Sequence, residues 1–157
     1  MNKFSRFLLL KGTERWLLMK VGVLLMTIQL GLPLLPFKTL YGALAGKRPT
    51  EDRPVTESLE RQPIIIEAIE LASRHSPIHI TCLAKALAGR YLLARSGVVA
   101  ELRIGVRRNV PGGLEAHAWL EDHGQIILGE IENMAHYTLL PPLELRENER
   151  NCGCDSI

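Results

Sequence analysis

Three residues in the middle of the chain could do covalent chemistry together: Cys82, His117 and Glu130, in that order. A cysteine thiolate attacks a carbonyl carbon, an imidazole moves the proton, and a carboxylate holds the imidazole in one tautomer. That set suffices for acyl transfer through a thioester. Each residue alone has a plainer explanation. A free cysteine often fills a core gap, a strand histidine is often satisfied by backbone, and a carboxylate at a strand end is usually solvated. Their joint order and settings argue for the chemistry, with a cysteine opening a helix and the other two on paired strands.

The elements that must position these residues follow from periodicity. Leu83, Ala86, Leu87, Tyr91 and Ala94 recur at helical spacing, which predicts a helix over residues 81–95. Ser76-Pro77 interrupts the chain before it, Thr81 suits the N-cap, and Ser96-Gly97 suits the stop. Cys82 then stands at or near the first helical position. The positive end of the helix dipole favours a thiolate there, and the unpaired N–H groups could receive an oxyanion. The second oxyanion donor is not fixed by the pattern; Gln62 and His79 are the candidates, and His79 is also a reserve base.

After Gly97 the period changes to two. Leu102, Ile104 and Val106 alternate with charged residues, and a second strand runs over residues 114–121 after an Arg108–Gly113 loop. A third covers residues 125–130. A two-residue turn at His123-Gly124 suits type I′. That register sets Asp122 opposite Gln125, Trp119 opposite Leu128 and His117 opposite Glu130, where a carboxylate reaches an imidazole. A three-residue turn would put Gly129 opposite His117 instead. Asp122 is about 16 Å along the strand from His117, too far to orient it.

These residues carry a resemblance. Cys82-Leu83, Ala86-Leu87-Ala88, Leu92-Leu93, Gly97, the run Glu101–Arg108, and Ala116-His117-Ala118-Trp119-Leu120-Glu121 are similar to the transglutaminase-like cysteine peptidases of lasso-peptide biosynthesis, the leader peptidases. Leu34-Leu35-Pro36-Phe37 is similar too, but less diagnostic. The resemblance implies a papain-like or transglutaminase-like site that cuts the leader from a ribosomally made precursor. Cys82 matches the nucleophile and His117 the base. The family's acid is usually Asp, and Glu130 stands in its place. The resemblance also implies three partners: the precursor peptide, a separate small leader-binding protein, and a lasso cyclase that uses the freed amine.

Composition narrows the class. The chain has 157 residues and a net charge of +2, which gives no electrostatic case for nucleic acid. Three cysteines, Cys82, Cys152 and Cys154, make no disulfide framework and suit a reducing cytoplasm. No zinc motif or glycine-rich phosphate loop is present, so neither metal nor cofactor is expected. Cys152-Gly153-Cys154 reads as part of a frayed tail.

In chain order, an apolar helical segment fills residues 1–41. From Val21 to Phe37 no charge occurs. That length is at the lower edge of a membrane span, and Gly31, Pro33 and Pro36 break its end. Three readings stay open: a helix covering the core, a shallow membrane-binding helix, and a true span. Contact with a membrane or a partner is therefore expected of residues 1–37. Residues 42–54 read as a linker. Residues 55–145 are expected to form the catalytic core. They begin with a helix from Val55 to His75, split by Pro63 near a helix start. A final strand is expected around residues 136–140, and a flexible tail over residues 146–157. The fold class is α+β, leading helices followed by an antiparallel sheet of three or four strands.

Two rival functions remain. The same thioester could be taken by an amine, as in a transglutaminase-like acyl transferase or amidase. Alternatively, the chain is a non-catalytic membrane-associated scaffold with Cys82 in its core.

Overall fold

A computed structural model describes residues 12–44, 55–109, 112–132 and 134–141. Four helices lead: α1 (Gly12–Leu34), α2 (Phe37–Leu44), α3 (Val55–Arg74) and α4 (Cys82–Arg95). Strands β1 (Glu101–Asn109), β2 (Gly113–Asp122) and β3 (Gln125–Leu128) follow. A 3₁₀ turn (Met134–His136) then leads to β4 (Thr138–Leu139). The sheet is antiparallel in the order β3-β2-β1-β4. This is the α+β arrangement expected from the change of period.

Helices α1, α3 and α4 pack on one another, and α4 lies across β2. Val21, Leu25 and Ile28 of α1 are sealed against Ile69 of α3 and Leu87 and Leu93 of α4 in one core. Ala118, Leu120 and Leu128 supply the sheet's share. Gly89 makes the close approach of α4 possible. A Cβ there would stand 2.7 Å from Leu128 Cδ2 and 2.8 Å from Leu120 Cδ1.

The start of α4 is fastened from a distance. Thr81 Oγ1 accepts from the Ala84 N–H at 3.3 Å, an N-cap bond. The same hydroxyl donates to Gln29 Oε1, which also accepts from the Thr81 N–H, both at 3.0 Å. Gln29 thus ties α1 to the residue before Cys82. At the other end Gly97, at φ 92, turns the chain out of the helix.

Several expected boundaries move. Residues 42–44 belong to α2 rather than to a linker, and residues 45–54 lie outside the described residues. Pro63 does not start a second helix. It stands exposed inside α3, and Ile65, Ala68 and Ile69 carry the buried side past it. The final strand shortens to two residues, Thr138 and Leu139, paired with Val106 and Gly105 of β1.

The most consequential difference is in the hairpin. The His123-Gly124 turn forms as expected, with both residues at positive φ (48° and 79°) and Asp122 opposite Gln125. Glu121 then faces Ile126, but Leu120 faces Leu128. Ile127 is the extra residue of a β-bulge. Without it Leu128 would oppose Trp119 and share the sheet face away from α4. With it Leu128 joins Leu120 in the core. Strand β3 stops there, and Gly129 follows at φ 89. Glu130 is therefore not paired opposite His117.

Replacing Gln29 with Leu should leave the Thr81 N–H without its partner while filling similar volume. Urea unfolding should show a loss of about 1–3 kcal/mol, larger than the loss from Gln29→Glu, which keeps an acceptor. Equal stability of Gln29→Leu and wild type would remove this tie from the account.

Candidate active site

Cys82 is the first residue of α4 and a free thiol, half-buried against the core. The capped first turn leaves backbone N–H groups beside it, the arrangement that stabilises negative charge at a helix start.

His117 lies on β2 opposite Gly105. Its Nε2 is 2.7 Å from the Gly129 carbonyl oxygen. A carbonyl can only accept, so Nε2 carries the proton and Nδ1 is left with its lone pair. The orienting group is thus the backbone of Gly129, brought there by the bulge. A Cβ on Gly129 would stand 3.1 Å from the Ala118 carbonyl oxygen and 3.1 Å from Trp119 Cβ. Its positive φ adds strain for any other residue. Glu130 is exposed, and no hydrogen bond joins its carboxylate to His117 among the described residues.

Alternation sends the His117 side chain out on the sheet face shared by Glu115, Trp119 and Glu121, opposite to the Ala118 and Leu120 face that packs on α4. There the imidazole stacks on the Trp119 ring at 6.1 Å and 19° and tilts against the Tyr137 ring at 5.9 Å. No hydrogen bond joins Cys82 to His117 among the described residues. The Tyr137 ring touches His117.

The reading of the sequence missed the group that holds this cluster. Glu115 Oε2 accepts from Arg107 Nε at 3.0 Å and Nη2 at 2.8 Å. The Tyr137 hydroxyl donates to Glu115 Oε1 at 2.9 Å, and the Arg107 guanidinium covers the Tyr137 ring at 5.0 Å. The Arg107 hydrogen bonds, then that of Tyr137, hold the Glu115 carboxyl below its ordinary range. Arg107 is raised in turn by Glu115, and burial, followed by the bond to Glu115, raises the Tyr137 phenol. On the same face Trp119 Nε1 donates to Glu121 Oε1 at 2.8 Å, and Glu121 Oε2 accepts from Arg103 Nε at 3.1 Å. Alternating Arg103 and Arg107 against Glu121 and Glu115 was the available signal, but their pairing needs the strand register. Gly105 is the floor of the cluster. A Cβ there would stand 2.9 Å and 3.0 Å from Trp119 ring carbons and 3.0 Å from Tyr137 Cβ.

The remaining candidates lie elsewhere. Gln62 is half-buried in α3. His79 is exposed and lines a shallow pocket of about 390 Å³ with Arg74, Ser76, Pro77 and Lys85. Cys82 does not line that pocket. Cys152 and Cys154 lie outside the described residues. Among the described residues no cluster of His, Cys, Asp or Glu could hold a metal ion.

A helix-opening cysteine packed over an antiparallel sheet that carries a tautomer-fixed histidine is the layout of a thiol-based acyl-transfer domain. The family model of the transglutaminase-like superfamily matches residues 22–141, and the chain belongs to that superfamily. The superfamily includes cysteine peptidases and acyltransferases and is generally catalytic through cysteine. Searches of curated proteins and of solved structures found no match.

Two outcomes test the cluster. Gly105→Ala should displace the Trp119 and Tyr137 rings, lowering stability by about 1–3 kcal/mol in urea and changing the near-UV circular dichroism; an unchanged spectrum would contradict the packing described. Glu115 has a depressed folded pKa, so its stabilisation is present above the ordinary carboxyl value of about 4.3 and is lost as pH falls through the folded value. The Tm gap between wild type and Glu115→Gln should therefore be open at neutral pH and close in acid. A gap that persists unchanged to about pH 2, well below the ordinary carboxyl value, would contradict this.

Proposed function

We propose that this chain is a cysteine peptidase that removes the leader from a lasso-peptide precursor. The observation that carries the reading is a strand histidine whose Nε2 is committed to the Gly129 carbonyl, which leaves Nδ1 to take a proton, in a domain whose helix α4 opens with Cys82. Membership of the transglutaminase-like superfamily supports the thioester chemistry. The blocks Cys82–Ala88 and Ala116–Glu121 support the leader-peptidase assignment by resemblance.

In this reading Nδ1 of His117 takes the Cys82 proton, and the thiolate attacks the carbonyl carbon at the leader–core junction. The oxyanion forms beside the N–H groups of the first turn of α4. The imidazolium returns its proton to the leaving amine, which becomes the core N-terminus as the C–N bond breaks. Water, deprotonated by His117, then hydrolyses the thioester and frees the leader carboxylate. Gly129 keeps the ring in place throughout. No hydrogen bond joins Cys82 to His117 among the described residues, so the reading requires a rearrangement that brings the two together when substrate binds. A separate leader-binding protein would present the precursor, and a cyclase would consume the freed amine.

The test is cleavage of a precursor by the purified chain with its leader-binding protein, followed by mass spectrometry. Cys82→Ala and His117→Ala should each cost about 10³-fold or more. Glu130→Gln should cost less than about tenfold, because a neutral carbonyl already fixes the tautomer. Cleavage that survives Cys82→Ala would refute the peptidase. An amine adduct in place of a hydrolysed leader would turn the reading to acyl transfer.

A further inference from the structure

Helix α1 is apolar on two opposite sides, and the fold uses one of them. Leu18, Val21, Leu25 and Ile28 are buried against α3 and α4. Trp16, Met19, Val23, Leu30 and Leu34 are each more than half exposed. At 3.6 residues per turn these five fall in one stripe on the far side, about 27 Å long.

The polar groups of the helix are arranged to leave this stripe dry. Thr27, the exposed hydroxyl within it, donates to the Val23 carbonyl at 2.8 Å. Gln29 is turned inward to Thr81. The Lys20 ammonium folds over the Trp16 ring, 3.2 Å from its centroid, an aromatic–cation pair of the kind found at membrane interfaces. The charge is of one sign. No Asp or Glu occurs between Glu14 and Glu51, whereas Arg15, Lys20, Lys38, Lys47 and Arg48 do, and Lys3, Arg6 and Lys11 precede them.

We propose that the outer face of α1 lies in the headgroup boundary of an anionic bilayer, parallel to the membrane surface. The helix is long and apolar enough to cross a membrane, but Val21, Leu25 and Ile28 are sealed in the core, and an upright helix would have to leave it. Lying flat satisfies both sides at once: the inner stripe stays in the core, the outer stripe meets the acyl boundary, and Lys20, folded over Trp16 of that stripe, meets phosphate. The catalytic domain would then work beside the membrane.

The experiment uses the full chain, with vesicles of phosphatidylcholine alone and of phosphatidylcholine mixed with phosphatidylglycerol. Co-sedimentation should favour the anionic vesicles by about tenfold or more and weaken with added salt. Val23→Glu with Leu30→Glu, at exposed positions, should lower the partition at least about tenfold with far-UV circular dichroism unchanged. Quenching by brominated lipids needs no variant. Trp119 is buried at 4% exposure, so quenching reports Trp16, and it should be strongest for bromines near the headgroups. Absence of binding to anionic vesicles would overturn the proposal. So would strongest quenching from the bilayer centre, which means a span, or a concentration-dependent dimer abolished by the same two substitutions, which means a second copy covers the stripe.

Discussion

The bond between His117 Nε2 and the Gly129 carbonyl decides what the candidate site can do. It fixes which nitrogen holds the proton and therefore which one can act as a base. That bond is a consequence of core packing. Leu128 reaches the core beside Leu120 only if Ile127 bulges out, and the bulge ends β3 and sends Gly129 back across β2. The need to bury one leucine thus places a carbonyl where a histidine needs an acceptor. The two requirements meet at a glycine because the turn demands positive φ and the approach leaves no room for a Cβ.

The cysteine is placed by a different constraint. Its helix begins where Thr81 caps it, and Thr81 is held by Gln29 from α1. The apolar N-terminal helix is therefore part of the site's framework as well as of the core. The histidine's rings and the cysteine's helix belong to opposite faces of the sheet. On the histidine's face, Glu115 and Arg107 hold Tyr137 against His117.

Much of this was legible in the sequence. The spacing of Leu83, Leu87, Tyr91 and Ala94 set the helix, Thr81 and Gly97 its ends, and His123-Gly124 the turn, since each is a local preference acting alone. The bulge was not legible, because it depends on Leu128 meeting Gly89 of a distant helix, and the period-two pattern of β3 reads equally well without it. The same gap moved the orienting role from the Glu130 side chain to the Gly129 backbone. The Glu115–Tyr137 pair was hidden for a related reason: residues twenty-two apart meet only through the β1–β4 pairing. Pro63 misled because a proline reads as a boundary, yet it sits on the exposed side of a helix whose other side is buried.

The central claim is that Cys82 and His117 act as one unit. The most direct measurement is the rate of Cys82 alkylation by iodoacetamide between pH 5 and 9, read by mass spectrometry at the Cys82 peptide, in wild type and His117→Ala. The account predicts labelling that is already fast below pH 7 in wild type and falls about tenfold or more in the variant. Superimposable pH profiles in the two proteins would mean that the histidine does not serve the cysteine, and would contradict it.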